Sequence, residues 1–223
     1  MIFLYLCNPV MEQHYNTSIN INPLREFCER HGEAVDYRKG ERMECEGEPA
    51  RWFAFVEKGC FKYVTHGISD GQEKIAWFSL SGEFVCCYPD MLYGRVAQFT
   101  IEAMTASRVM RVSGEQLQQF FSQSMENMRL HVSLSDHILS QFQARYIDLY
   151  RTTPRERYEM LLQRCDGIVN DLPLNAIASF LNITPKTLSM YRRNITFGDG
   201  GTYPPLPEIL YLSKDFCLDN HIL

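Results

Sequence analysis

The chain has 223 residues, of which 45% are hydrophobic and 22% charged, with a net charge of −5. That length accommodates one large domain or two ordinary ones, and the apolar share is enough for a real core. No run of about 20 apolar residues occurs, which excludes a membrane-spanning helix. The eight cysteines, at 7, 28, 45, 60, 86, 87, 165 and 217, form no C-x-x-C pair and no Cys/His cluster with zinc spacing. Reduced, mostly buried thiols in a cytoplasm are the expected state.

Residues 1–19 read as an N-terminal extension. The opening MIFLYLCNPV is apolar but short, with no basic region ahead of it and no clear cleavage site, so it is not read as a signal peptide. Either Met1 or Met11 serves as the start. Residues 20–31 follow as a short helix with Ile21, Leu24, Phe27 and Cys28 on one side. From 33 to 112 the pattern changes to runs rich in Val, Phe, Tyr and Ile. Glycine-bearing turns separate them at Lys39–Glu41, Glu46–Glu48, Lys58–Gly59, Ser69–Gly71 and Ser81–Glu83. Turn signals at that spacing indicate an antiparallel sandwich or barrel, with strands at 53–56, 61–64, 74–78, 99–103 and 107–112.

Gly114–Gln123 reads as a short helix. Residues 125–150 then run without Pro or Gly, long enough for a helix of roughly 40 Å. Met128, Ile138, Phe142 and Leu149 fall near the spacing of a dimer seam, widened by Leu134, Tyr146 and Ile147 and interrupted by His131 and Ser135. The alternative is one long helix packed on its own sheet. Thr152–Arg155 marks a break, after which Tyr158, Leu161, Leu162 and Cys165 make a buried face. The domains are thus 20–124, a β-rich sensor; 125–150, the long helix; and 151–193, a small helical domain. The tail 194–223 reads as loop plus one short element and has no assigned role.

The stretch 172–193 reads as two short helices joined by a tight turn. Ile177, Phe180 and Leu181 face inward, Ala178 allows a close helix crossing, and Asn182 tolerates left-handed geometry. Thr184 caps the second helix and Pro185 opens it. Leu188 points to the core, leaving Thr184, Lys186, Thr187, Ser189, Tyr191, Arg192 and Arg193 outward. That is the layout of a DNA-reading helix-turn-helix. A generic helix pair is the competing reading, but residues 151–193 hold seven Lys/Arg against four Asp/Glu, while the remainder holds fifteen against twenty-three. The basic excess therefore lies with the motif.

A roll of about 80 residues, a long helix and a helix-turn-helix in that order resemble the Crp/Fnr superfamily of cyclic-nucleotide-binding-like regulators. The resemblance rests on Lys39-Gly40-Glu41, Gly59 with Phe61-Lys62, Gly82-Glu83-Phe84, and 177–193. It implies an α+β protein: an N-terminal antiparallel β-roll (a double-stranded β-helix, jelly-roll-like) with flanking helices, a long dimerisation helix, and a C-terminal winged-helix/helix-turn-helix domain. It also implies a cytoplasmic homodimer on a palindromic operator in double-stranded DNA, with RNA polymerase as a further partner and a small-molecule effector in the roll.

The effector pocket implied by the resemblance comprises Gly82, Glu83, Phe84, Cys86, Cys87, Arg95, Ala97 and Gln98. In cyclic-AMP binders of the family a Gly-Glu pair and an Arg-Ser/Thr pair hold ribose and phosphate. Here those positions carry Cys86-Cys87 and Ala97-Gln98. The bidentate cation and the ribose acceptor are missing, so cyclic AMP is not expected and no cofactor is assigned. Tyr88, Pro89, Met91, Leu92 and Tyr93 suggest an apolar or self-filled pocket. Adjacent Cys86 and Cys87 read as structural thiols, and Cys7 and Cys28 do not supply an iron–sulfur cluster.

In the recognition helix the base-facing positions are Pro185, Lys186, Ser189 and Met190. Met190 stands where the family often has Arg, which leaves apolar contact with a thymine methyl. Thr184 resembles a phosphate anchor, Thr187 lies beside it, and Arg192 and Arg193 are expected on the DNA backbone. The regulator is either effector-controlled or constitutively active. The alternative function is a ligand- or partner-binding roll whose helix-turn-helix does not touch DNA. An enzyme is not expected: His14, His31, His66, His131, His137 and His221 are scattered, with no metal or triad spacing.

Overall fold

In the computed structural model the described residues are 20–68, 71–164 and 172–197. The expectations for 1–19, for Ser69–Asp70, for Cys165 and for the tail from 198 onward fall outside them. Helix α1 (Asn22–His31) has Pro23 in its first turn and buries Leu24, Phe27 and Cys28. Eight strands follow: β1 (Glu33–Tyr37), β2 (Arg42–Glu44), β3 (Trp52–Lys58), β4 (Cys60–His66), β5 (Glu73–Leu80), β6 (Phe84–Cys86), β7 (Thr100–Ala103) and β8 (Ser107–Ser113). They form two antiparallel four-stranded sheets, in orders β1-β8-β3-β6 and β2-β7-β4-β5. This is the jelly-roll arrangement, so the architecture agrees with the expected α+β class.

The apolar run Phe53–Val56 in β3 is buried throughout, because one face looks into the roll and the other lies under helices. The corner between β3 and β4 needs Gly59: its φ is +99°, and a side chain there would collide with Ser107. Three of the eight strands, β1, β2 and β6, were not among the expected ones. All three are sheet edges. Edge strands are short and often charged, so their patterning is weak: β1 is EAVDY with only Tyr37 buried.

Helix α2 (Gly114–Ser122) begins with a full capping box, in which the Ser113 hydroxyl takes the Gln116 N–H and the Gln116 side chain takes the Ser113 N–H. Ser124 caps α3 (Met125–Arg151), which runs 27 residues. Thr153 and Glu156 cap α4 (Pro154–Arg164) reciprocally. Helices α5 (Leu174–Phe180) and α6 (Pro185–Phe197) complete the described chain.

Two cores result. One fills the roll and includes Leu134 from α3. The other joins Cys60, Val64, Ile75 and Phe78 from β4 and β5 to Tyr158, Leu161, Ile177, Phe180 and Leu188 of the helical head. The head is therefore packed on the roll, covering β5, the fourth sheet edge.

Candidate nucleic-acid interface and effector pocket

The turn between α5 and α6 is a Schellman motif. The Ile183 N–H reaches the Ala178 carbonyl, the Asn182 N–H reaches the Ser179 carbonyl, and Asn182 takes the left-handed φ of 57°. The chain then re-enters a helix at once. Thr184 Oγ1 accepts the Thr187 N–H at 3.1 Å, and Pro185 occupies the first turn, where no backbone donor is lost. Ile177, Ala178 and Leu188 are fully buried at the crossing.

Three contacts hold this pair of helices against the rest. The Ser179 hydroxyl accepts the Ile75 N–H of β5 at 3.0 Å. Phe180 packs on Phe78 with ring centroids 5.2 Å apart. Arg145 of α3 donates to the Phe180 carbonyl at 3.1 Å and lies 3.9 Å over the Phe180 ring. Burial, reinforced by the nearby Arg157, pulls the Arg145 pKa down to about 10, so it remains a cation at neutral pH.

The outer face of α6 is bare. Thr184, Pro185, Lys186, Ser189, Met190 and Arg193 are exposed, and Thr187 is half-buried against Thr184. Two expectations need correction. Arg192 does not point outward: its Nε donates to the buried Tyr158 hydroxyl at 3.1 Å. Tyr191 packs on the head core. The signal was present in the sequence, because 191 and 192 stand three and four residues after the buried Leu188 and so share its face. Arg193 instead continues the line of Lys186 and Ser189/Met190.

The eight residues of the expected pocket are divided between turn, core and surface. Gly82 makes a tight turn, with its N–H on the Val56 carbonyl. Glu83 is buried, accepts the Leu80 N–H at 2.9 Å, and has its carboxyl pushed up to about 7 by burial. Phe84 stacks on Phe53 in the core. Arg95 is exposed and lies over the Tyr93 ring at 5.0 Å, and Gln98 is exposed. Ala97 and Cys87 are buried. Burial holds the Cys86 thiol well above its ordinary pKa and raises that of Cys87 to about 12, so neither is a ready thiolate.

Tyr63, only 8% exposed, belongs to the packed core of the roll. Its hydroxyl accepts the Cys86 N–H at 3.1 Å and lies 3.1 Å from Ser79 Oγ, which donates to the Phe84 carbonyl at 2.9 Å. Because the single Ser79 proton is spent on that carbonyl, Tyr63 donates to Ser79. The chain of bonds is complete, with Cys86 N–H as its first donor. Sequence reasoning missed Tyr63, because nothing local to strand β4 says which pocket its side chain enters. A groove of about 520 Å³ lies elsewhere, lined by Leu92, Tyr93, Gln118, Phe121, Met128 and His131 among others, and by none of the eight pocket residues.

On α3 the expected seam is also corrected. Leu134 is buried in the roll core and Ile138 packs against it. His131 and Ser135 face the roll too. His131 stacks on Phe121 at 4.3 Å, its Nε2 is 3.0 Å from the Tyr88 hydroxyl, and that hydroxyl is 2.5 Å from Ser135 Oγ. The exposed stripe is Met125, Met128, Val132, Leu139, Phe142, Tyr146 and Leu149. These positions are separated by steps of three, four, seven, three, four and three residues, the heptad spacing.

Residues 34–124 match the family model of the cyclic nucleotide-binding domain. The chain is similar to FixK2 from Bradyrhizobium japonicum, at 21% identity over 77% of this chain and 89% of that one, with a TM-score of 0.64. It is also similar to CLP, the c-di-GMP-responsive global regulator of Xanthomonas campestris, at 16% identity, 80% and 92% coverage and a TM-score of 0.57. CooA from Carboxydothermus hydrogenoformans matches at 14% identity, 88% coverage of both chains and a TM-score of 0.59. No curated protein matches the sequence significantly. The fold is that of the Crp/Fnr-type regulators. Among the described residues no helix is long and apolar enough to cross a membrane, and no cluster of three or more His, Cys, Asp or Glu could hold a metal.

Proposed function

We propose that the chain is a DNA-binding transcription regulator of the Crp/Fnr type. It works as a homodimer on a palindromic operator and is binding-competent without cyclic AMP. The observation that carries this reading is the two-faced α6: Leu188, Tyr191 and Arg192 are committed to the head, while Lys186, Ser189, Met190 and Arg193 are left to the solvent. A helix whose exposed face carries short polar, apolar and cationic side chains is equipped for a major groove. The heptad stripe on α3 supports pairing with a second copy, which would set two recognition helices one helical turn of DNA apart.

Independence from cyclic AMP is supported by Tyr63. Its hydroxyl already takes the Cys86 N–H, so that donor is engaged within the protein, and Arg95 turns outward.

The test is selection of duplexes from a random pool by the purified protein, with and without cyclic AMP. The expected result is a palindrome with half-sites about one helical turn apart, enriched equally in both conditions. Enrichment only with the nucleotide would reverse the effector reading. No enrichment in either would favour the partner-binding module. Lys186→Ala should change which sequence is selected.

A further inference from the structure

We propose that Met190 is a specificity-determining residue that reads the 5-methyl group of one thymine in each operator half-site. This rests on α6 being the DNA-facing helix. Met190 is 45% exposed and belongs to neither core. On the same face Lys186 stands four residues before it and Arg193 three residues after it, both exposed. It is thus the apolar centre of a face with a cation at each end.

The chemistry of the groove then narrows what Met190 can touch. Base edges in the major groove display hydrogen-bond donors and acceptors, and the only apolar group among them is the thymine methyl. A thioether donates nothing and accepts weakly, so Met190 cannot do what an arginine does with guanine. Its unbranched, flexible chain can follow a methyl that lies slightly out of line. The flanking Lys186 and Arg193 supply attraction to guanine or phosphate and hold the register, so that the methionine meets the same base step each time. Ser189 beside it is too short and too tolerant of partners to dictate the base alone.

Substituting deoxyuridine for thymine deletes only that methyl. In the selected operator, replacing each thymine in turn should reveal one position per half-site where affinity of the full-length protein falls about fourfold, the worth of roughly one buried methyl-sized group. Met190→Ala should bind the thymine and uracil duplexes equally, with its melting temperature unchanged because the side chain packs in neither core. A wild-type protein indifferent to uracil at every thymine overturns the proposal while leaving α6 as the DNA-reading helix. Uracil sensitivity that persists in Met190→Ala overturns it as well, by assigning the methyl to another residue. A protein that binds no duplex overturns both readings.

Discussion

The interior of the roll and the outer face of α6 differ in how their polar groups are used. Inside the roll, hydrogen bonds run from the Cys86 N–H through Tyr63 and Ser79 to the Phe84 carbonyl, while Arg95 lies at the surface over Tyr93. On α6, Lys186, Ser189, Met190 and Arg193 have no such commitment and stand in solvent. The difference is physical: a buried polar group must find a partner inside the protein, whereas an exposed one can leave that partner to water or a ligand.

The largest expected effect tests the closed side. Tyr63→Ala removes a buried ring, leaves the Cys86 N–H without its acceptor and takes from Ser79 Oγ its incoming donor, and should cost about 3–5 kcal/mol in chemical denaturation. A cost near zero would mean that the roll interior is open space rather than packed core. Tyr63→Phe keeps the ring and should cost only about 1–3 kcal/mol.

Next is the pH response of the same region. Burial pushes the Glu83 carboxyl up to about 7 in the folded protein, against about 4.3 for an unfolded glutamate. Between these values the folded state holds the proton more tightly. The contribution is therefore full below about pH 4 and is lost as pH rises to about 7, by up to roughly 3 kcal/mol. Glu83→Gln keeps an acceptor for the Leu80 N–H and should flatten that dependence. Identical pH profiles for the two proteins would show that Glu83 is solvated.

Smaller effects separate the two arginines at the end of α6. Arg192→Ala loses the bond to Tyr158 and should lower head stability by about 1–2 kcal/mol, read as a shift in thermal unfolding. Arg193→Ala should leave stability within about 0.5 kcal/mol. It should instead reduce the salt slope of DNA binding by about one for each copy of the residue that meets a phosphate. If Arg192→Ala changes the salt slope and Arg193→Ala does not, the assignment of faces on α6 is inverted.

Much of this protein was legible in its residues. The helix-turn-helix could be read because its signals are local: Thr184 and Pro185 start a helix, Asn182 makes the left-handed turn, and Leu188 anchors the crossing within a few residues of one another. The central strands were legible for the same reason, their apolar runs being bounded by glycine turns. Edges β1, β2 and β6 were not: β1 buries only Tyr37, and β2 and β6 are three residues each, too short to display an alternation. Nor could the sequence choose between two faces of α3. Leu134 and Ile138 were credited to a seam, yet they pack on the roll, since helical spacing assigns residues to a face without saying what that face meets. Arg192 and Arg193 are chemically alike and adjacent, and a rotation of about 100° per residue sends one to Tyr158 and the other to solvent. The replacement of Gly-Glu and Arg-Ser by Cys86-Cys87 and Ala97-Gln98 already argued against cyclic AMP from sequence alone. That Tyr63, from a strand more than twenty residues earlier, would take up the Cys86 N–H was decided only when the two sheets closed on each other.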